Sequence, residues 1–265
     1  MKLSYELFEQ LFGIVREDPH DAILSILASD FLTEKAAVSF LEAYQIEIKG
    51  QDLQVAATYF ASAWRGLCVT LQYMISLGDV RLNFSLTNLT LHISRKNGYP
   101  SIFFRLRDAA ELPWPEQDRD SLRLEALEGF YKETLRPVFR VLASVSGLPA
   151  AQIWGQLPLG VAYYIRHISG KLEQEADRIR LQEDHEYLIK DVDPSVFGLS
   201  RNPFNYKPRW IDDLYNPGQQ SQMKPTCCLA YRTDTGHGYC YSCPKLTRQQ
   251  REEKAASLKA AAQPK

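Results

Sequence analysis

Four of the five cysteines of this 265-residue chain fall close together, at Cys227, Cys228, Cys240 and Cys243. Their spacing is an adjacent pair, eleven other residues, and then a Cys-x-x-Cys turn. A Cys-x-x-Cys turn brings two sulfur atoms to one metal centre while backbone amides of the turn point at them. Four thiolates suit zinc or an iron–sulfur cluster. The segment is therefore the strongest candidate for chemistry in the chain.

Three kinds of site remain open on spacing alone: a [2Fe–2S] cluster, a zinc ion, or a redox disulfide. Structural zinc sites usually separate their cysteines by two to four residues. The side chains of adjacent cysteines diverge in most backbone conformations, and a two-iron cluster, being wider than one zinc ion, accommodates that divergence more readily. Gly236 and Gly238 would allow the chain to reverse between the two pairs.

The compartment expected from the sequence is the cytoplasm. Acidic residues follow Met1 closely, and no apolar signal segment comes after them. In a reducing cytosol, clustered cysteines are more often metal ligands or redox groups than disulfides. Residues 141–165 carry no charge, but Pro149, Pro158 and three glycines interrupt them. We therefore expect buried helix ends around a turn there, and no transmembrane segment.

Charge argues against nucleic acid as a partner, because the formal net charge is only -1. The cysteine-bearing end is locally basic, with eight Lys and Arg against three Asp and Glu from residue 224 onward. Lys224, Arg232, Lys245 and Arg248 lie near the cysteines in sequence and would moderate the negative charge of a four-thiolate site. From Arg251 onward the charges are interpreted as a solvated tail.

The residues around the adjacent cysteines Cys227 and Cys228 resemble a motif of a known protein family. Residues 226–232 read Thr-Cys-Cys-x-x-Tyr-Arg, and a Cys-x-x-Cys turn follows about ten residues later. This segment, under 20 residues long, and the chain length are similar to those of the FhuF-type ferric siderophore reductases. A weaker likeness is Ile153-Trp154-Gly155-Gln156, which is similar to a Trp-Gly-Asn element upstream in that family. Here the cysteine spacer is eleven residues where ten is usual, and Gln156 stands where Asn is usual.

The resemblance implies a function. In the family the four cysteines hold one [2Fe–2S] cluster, which passes an electron to iron in a ferric siderophore, and hydroxamate or citrate-hydroxamate types are the expected substrates. The chain is thus expected to be a cytoplasmic oxidoreductase, with no catalytic residue beyond the cluster because no siderophore bond need break. The alternative is a helical binding module with a structural zinc held by the same four cysteines.

The electrons must then come from outside the chain. The sequence has no Gly-x-Gly-x-x-Gly element and no Walker motif, so it shows no nucleotide site of its own. An external donor such as a ferredoxin, a flavodoxin or a reductase is therefore expected.

Several other residues are candidates for lesser roles. Tyr206, Lys207, Arg209 and Trp210 form an aromatic and basic group just before the cysteines, which would contact a siderophore or would equally pack the loop onto the body. Arg232 is a further candidate contact. His237 is expected in solvent rather than as a ligand. Cys68 and Trp154 are expected in the core.

The elements that must position these residues follow from periodicity. Apolar residues recur at helical spacing from Gln51 to about Leu77, and shorter helices are predicted over residues 4–13, 22–27 and 34–41. Alternation over residues 80–86, 89–93 and 102–106, with an Asn97-Gly98 turn, predicts three antiparallel strands. Helical spacing returns over residues 121–145 and 159–189.

The predicted fold is α+β: helix-rich, with a small antiparallel sheet near residues 80–106 and an irregular cysteine-bearing arm. Residues 1–78 form an N-terminal helical region, and residues 79–197 complete the main body with the sheet and further helices. The Pro-rich arm and cluster segment occupy residues 198–246. Residues 247–265 are expected to be a charged, frayed tail.

Overall fold

The chain has the α+β fold that its sequence predicts. The computed structural model describes residues 5–262, with side chains through residue 260. The helices are α1 (Tyr5–Phe12), α2 (Glu34–Glu47), α3 (Leu53–Ala63), α4 (Arg65–Leu77), α5 (Arg119–Gly129), α6 (Arg136–Ser146), α7 (Ala150–Trp154), α8 (Pro158–Ser169), α9 (Glu175–Lys190) and α10 (Arg248–Ala262). The strands are β1 (Ile14–Val15), β2 (Leu24–Leu27), β3 (Val80–Arg81), β4 (Leu89–Lys96), β5 (Tyr99–Leu106), β6 (Leu112–Pro113), β7 (Trp210–Asp212) and β8 (Gln220–Gln222).

A four-stranded sheet in the order β1-β5-β4-β2 forms one side of the body. The β4–β5 hairpin is the predicted one, and its turn residues Asn97 and Gly98 have φ of 52° and 79°, as a type I′ turn requires. Strand β2 pairs antiparallel with β4, and β1 pairs parallel with β5. The N-terminal region predicted as helical therefore also contributes two strands.

The predicted helix over residues 22–27 is wrong, because Leu24–Leu27 is strand β2. The apolar run is too short for helical spacing and strand alternation to differ clearly. Its partner decides the outcome: Leu24 and Ile26 lie opposite Ile93 and Leu91 of β4, a strand 65 residues later in the chain. A sheet edge thus overrides the local preference.

The predicted strand over residues 80–86 is wrong for most of its length, since only Val80–Arg81 pairs, with β6. Leu82, Phe84 and Leu86 are nevertheless buried. Side chains rather than a second strand satisfy this backbone: Leu82 N–H donates to Met74 Sδ (3.2 Å), and the Thr134 hydroxyl donates to Phe84 O (3.1 Å). The alternating apolar residues over 80–86 are therefore explained by the burial of their side chains and not by hydrogen bonding to a neighbouring strand.

Two long predicted helices are each divided. The segment after Gln51 becomes α3 and α4, separated at Trp64, whose N–H bonds to Ala61 O in a tighter turn. The segment from residue 159 becomes α8 and α9, separated after Gly170. The helical prediction over residues 121–145 holds as α5, a π-helical turn at Phe130–Leu135, and α6.

Helix α4 lies at the centre of the body. Every residue from Gly66 to Leu77 is buried, and α4 packs against α1, α8 and α9. A buried polar group joins these helices: Asp184 of α9 is fully buried and accepts hydrogen bonds from Arg119, Arg123 and the Ser76 hydroxyl (2.6–3.2 Å). Burial around α4 thus includes one multiply paired carboxylate.

The uncharged residues 141–165 form the end of α6, a left-handed turn at Gly147, α7 and the start of α8. Among the residues described, no helix is both long and apolar enough to cross a membrane.

The arm over residues 198–246 is largely irregular, with one small hairpin made by β7 and β8. The charged segment after it forms the largely exposed helix α10, as far as the described residues reach. Arg251 anchors this helix, because its guanidinium donates to Tyr241 O, Cys243 O and Leu246 O.

Candidate functional site

The four clustered cysteines lie together as two pairs of thiols. Cys227 and Cys243 are 6% and 2% exposed, and their sulfur atoms are 3.6 Å apart. Cys228 and Cys240 are half-buried, and each thiol acts on the pKa of the other. The two pairs differ in position. The inner pair, Cys227 and Cys243, is buried against the body, and Cys228 of the outer pair, Cys228 and Cys240, lines a cavity.

The backbone turns sharply after the adjacent residues Cys227 and Cys228, and this turn directs amide groups toward their sulfur atoms. Leu229 adopts the left-handed conformation (φ 59°), which is uncommon for a residue with a large side chain. The Leu229 N–H donates to Cys227 Sγ (3.4 Å), and the Ala230 N–H donates to the Cys228 sulfur. Two successive amides thus form a concave, anion-favouring turn, as thiolate ligands require.

The loop between the pairs reverses as the sequence predicts. Gly236 and Gly238 both have positive φ, 72° and 63°, where a side chain would introduce strain. The Cys243 N–H closes the Cys-x-x-Cys turn by donating to Cys240 O (2.9 Å), and the Lys224 N–H donates to Ser242 O (3.0 Å). The two halves of the segment are therefore held side by side.

Helix α3 and the loop before it attach the segment to the body. The Thr58 hydroxyl donates to Cys228 O (2.8 Å). Arg232 forms an ion pair with Asp52 and donates to Gln54 Oε1 (2.7 Å). Since Asp52 also caps α3, accepting from the Val55 N–H, Arg232 is tied directly to the start of that helix.

Helix α7 and the residues after it contact Thr226 and Cys227 from the other side. Gln156 Nε2 donates to Thr226 Oγ1 (2.9 Å) and lies 3.3 Å from Cys227 O, to which Gln152 Nε2 also donates (3.4 Å). Gly155 permits the close approach, because a Cβ there would lie 2.6 Å from Thr226 Oγ1. The Trp-Gly-Gln element noted in the sequence thus contacts the Thr-Cys-Cys element.

A half-buried lysine sets the electrostatics of the outer pair, Cys228 and Cys240. Lys224 Nζ donates to Cys228 Sγ (3.3 Å). The pKa of Cys228 is lowered, first by the hydrogen bond from Cys240 and then by the Lys224 ammonium, while the pKa of Cys240 is raised by its interaction with Cys228 and by burial. Burial acts to lower the pKa of Lys224, yet that pKa is raised overall because the two sulfurs outweigh it. One thiolate beside one ammonium is the favoured state here.

The inner pair is in a different environment. Burial raises the pKa of the Cys227 thiol, and only the Leu229 amide acts strongly in the opposite direction. Cys68, the fifth cysteine, is fully buried on α4 against Tyr131, and burial raises its pKa to about 12. Cys68 therefore lies in the core, as expected for packing.

A cavity of about 1070 Å³ opens beside Cys228. Helices α3, α4, α8 and α10, the β7–β8 hairpin and the cysteine segment all contribute to its wall. The lining includes three cationic side chains, Arg65, Arg166 and Lys224, and an aromatic group made by Tyr59, Tyr163, Trp210, Tyr215 and Tyr241. A cavity of this size holds a ligand at least as large as a typical drug molecule.

The residues predicted to contact substrate are not brought together. Trp210 lines the cavity and is 55% exposed. Lys207 and Arg209 are exposed and are not among the described residues of its lining, and Arg232 is engaged with Asp52. His237 is exposed at the cavity wall. Trp154 is buried, 2% exposed, against Phe139 and Phe197.

Sequence reasoning missed the cavity residues contributed by the helices. Tyr59, Arg65 and Arg166 lie 60 to 170 residues before the cysteines, on helices whose apolar faces dominate their sequence pattern. Tyr59 lies close enough to Cys228 and Cys240 that their charge acts on its hydroxyl. The only available signal was the polar residues interrupting otherwise apolar helix faces.

Within residues 5–260, no three or more His, Cys, Asp or Glu side chains are grouped as ligands of one metal ion. No protein-family model matches the chain, and no curated protein matches it.

Proposed function

We propose that the chain is a cytoplasmic ferric siderophore reductase of the FhuF type, which reduces siderophore-bound Fe(III) to Fe(II) with a [2Fe–2S] cluster held by Cys227, Cys228, Cys240 and Cys243. The observation that carries the proposal is the position of the four thiols. The Cys227 and Cys243 sulfur atoms are 3.6 Å apart, and Cys228, which interacts with Cys240, lies at the wall of a large cavity.

The chemistry of the donor set suits such a cluster, whose two irons would each take one pair of thiolates rather than share a single group of four. Each iron of a Cys₄ [2Fe–2S] cluster takes two thiolates, and the sulfurs here lie as two pairs. The Leu229 and Ala230 amides and the Lys224 ammonium supply the hydrogen bonds and positive charge that a cluster with four thiolates needs. When bound, the cluster would supply a one-electron donor whose potential depends on those hydrogen bonds and on solvent exposure.

The chain's own residues would have three tasks. The clamps from Thr58, Gln152 and Gln156 fix the backbone of the first cysteine pair. The body buries Cys227 and Cys243, which excludes water from the inner side of the site. The cavity holds the ferric siderophore, of hydroxamate or citrate-hydroxamate type, beside the outer pair.

The reaction balances without acid–base chemistry. One electron enters from an external donor, such as a ferredoxin, a flavodoxin or a reductase, for each Fe(III) that becomes Fe(II). No bond of the siderophore breaks, and the ligand is released able to bind ferric iron again. Hard oxygen ligands hold the trivalent ion far more tightly than the divalent ion, so reduction releases the metal.

The first test is the metal content of protein prepared without air. Iron and acid-labile sulfide in equal amounts, about two of each per chain as a [2Fe–2S] cluster requires, support the proposal. Stoichiometric zinc without sulfide would instead establish the binding-module alternative.

The second test is electron transfer. Chemically reduced protein is mixed anaerobically with a ferric hydroxamate and, separately, with a ferric citrate-hydroxamate, each with a ferrous trap present. We expect the visible spectrum to return to its oxidised form with about one ferrous ion per reduced cluster. Protein that stays reduced with saturating amounts of both would show that the site is a sensor or a structural element.

A further inference from the structure

The cavity beside Cys228 carries a charge pattern that bears on the kind of chelate it accepts. Its volume is about 1070 Å³, and three cationic side chains, Arg65, Arg166 and Lys224, lie in its wall. Among the described residues of the lining, Asp213 is the one acidic side chain. Because Lys224 is already engaged with Cys228 Sγ, the two guanidinium groups are the cations left to meet a ligand, in a chain whose formal net charge is -1.

The single carboxylate is already engaged within its own loop. Asp213 accepts hydrogen bonds from the Ser221 hydroxyl, from the backbone N–H groups of Tyr215 and Asn216, and from the Asn216 amide. These bonds lower the pKa of Asp213 to about 2, with the Ser221 hydroxyl as the largest cause. Its acceptor positions are occupied in shaping the β7–β8 hairpin, so it is a poor counter-ion for Arg65 and Arg166.

Arg65 is held at the cavity wall by its neighbours. Its Nη1 donates to Ser62 O (2.7 Å) and lies 3.3 Å from Ser62 Oγ. Gly160 of α8 leaves room for the side chain, because a Cβ there would lie 2.7 Å from Arg65 Cδ. A placed guanidinium with unused donors is suited to a carboxylate, which it binds through two parallel hydrogen bonds.

Arg166 adds a second guanidinium from α8. It is exposed, one helical turn beyond Tyr163, and both side chains line the cavity. Tyr163, Trp210 and Tyr215 are 55%, 55% and 68% exposed, unusually high for large aromatic side chains. Cations and open aromatic faces together suit a ligand with carboxylates and apolar linking arms.

We propose that this cavity selects ferric chelates that bear free carboxylates, with Arg65 and Arg166 as the residues that recognise them. The inference rests on the proposed reductase function and narrows its substrate class: a citrate-hydroxamate chelate with net negative charge binds well, and an uncharged trihydroxamate chelate binds poorly. Arg65 binds the carboxylates of the chelate from the α4 side of the cavity, and Arg166 binds them from the α8 side.

The test uses gallium in place of iron, because Ga(III) forms the same chelates but accepts no electron under these conditions. Binding of Ga(III)-aerobactin, which carries carboxylates, and of Ga(III)-ferrichrome, which is uncharged, is measured by calorimetry at low and high salt. The proteins are the wild type, Arg65→Met, Arg166→Met and, as a control, Lys171→Met. Lys171 is exposed just beyond the far end of α8 and is not in the described lining.

We expect the wild type to bind the aerobactin complex at least tenfold more tightly than the ferrichrome complex at low salt, with the difference shrinking as salt rises. Each arginine variant should lose about tenfold for aerobactin and little for ferrichrome. Lys171→Met should bind both as the wild type does. Because Arg166 is exposed, its variant remains informative even if Arg65→Met does not fold.

Equal affinity for the two complexes, no binding of either, or arginine variants that bind like the wild type would overturn the proposal. Binding of a gallium complex requires no electron transfer, so charge selection with no reduction of iron would refute the reductase function alone. Reduction of iron without charge selection would refute this inference alone.

Discussion

Around α4 the chain buries side chain against side chain, whereas residues 224–243 are attached to that body through separate hydrogen bonds. Gly66–Leu77 are all buried, and even the charge there, on Asp184, has several partners. The cysteine segment buries Cys227, Leu229 and Cys243 against the body but is held in addition by single hydrogen bonds. Two of these run from the Thr58 hydroxyl to Cys228 O and from Gln156 Nε2 to Thr226 Oγ1. The body's stability is therefore cooperative, while the segment's order is local and adjustable.

The largest effect that separates the two regions should come from the cysteines. Changing Cys227, Cys228, Cys240 or Cys243 singly to Ser should remove the iron and sulfide, because oxygen is a poorer ligand for an iron–sulfide core. The free energy of unfolding of the body should change by less than about 1 kcal/mol for the half-buried Cys228 and Cys240. Metal analysis and chemical denaturation measure the two effects.

Cys68→Ser is the matched control, since it should give the reverse result. A hydroxyl at this fully buried position should cost about 1–3 kcal/mol of stability while the iron content is kept. Retention of wild-type iron and sulfide by all four segment variants would contradict the assignment.

The next effect is on the body alone. Asp184→Ala should lower the free energy of unfolding by about 3–5 kcal/mol, because it leaves Arg119 and Arg123 facing each other without their carboxylate. Asp120→Ala is the control: that carboxylate also pairs with Arg123 but is 83% exposed, so its loss should cost about 1 kcal/mol or less. Denaturant titration checks both, and equal costs would show that burial is not decisive here.

Acid should weaken the body in a predictable window. Burial, with the Arg166 charge as a smaller cause, lowers the pKa of His185 to about 4, against 6.5 unperturbed. The unfolded chain binds this proton first as pH falls, so stability present above pH 6.5 is lost progressively down to about pH 4. The loss should be on the order of 3 kcal/mol.

His185→Gln should remove that share of the pH dependence, while keeping a hydrogen-bonding group near Gln72. The free energy of unfolding is measured from pH 7 to 4.5 for both proteins. If both show the same slope, His185 does not titrate in this window.

The smallest effect concerns the contact between Gly155 and Thr226, where the cysteine segment packs against the body. Gly155→Ala should place a methyl group against Thr226 and loosen the first cysteine pair, at a local cost of about 1–3 kcal/mol. Faster loss of iron to a chelator is the measurement. Gly129→Ala is the control, because a Cβ there meets no atom within 4 Å; in a helix it should stabilise the body by about 0.5–1 kcal/mol. Equal rates of iron loss in both variants would contradict this view of Gly155.

Local pattern predicted the parts of the molecule that local interactions determine. The β4–β5 hairpin follows from Asn97-Gly98 and alternation, and the reversal between the cysteine pairs follows from Gly236 and Gly238. The cysteine grouping likewise follows from spacing. The assignment of a metal to that group stays a prediction.

Distant contacts decided what the sequence could not. Leu24–Leu27 becomes a strand because β4 offers a partner edge, a choice that no six-residue window contains. The cavity depends on Arg65 and Tyr59 meeting a segment about 160 residues later. The substrate contacts predicted near the cysteines, Lys207 and Arg209, failed to converge there because sequence proximity does not fix which way a loop faces.

The clamps on the cysteine segment also impose an order of assembly during synthesis. Thr58, Gln152 and Gln156 are all translated before Cys227, so the surface that receives the cysteines can fold while they are still being made. The nascent segment then meets a finished template rather than having to create one. On the proposed function, iron delivery would be the last event of maturation, and a shortage of iron would leave a folded body without its metal rather than a misfolded chain.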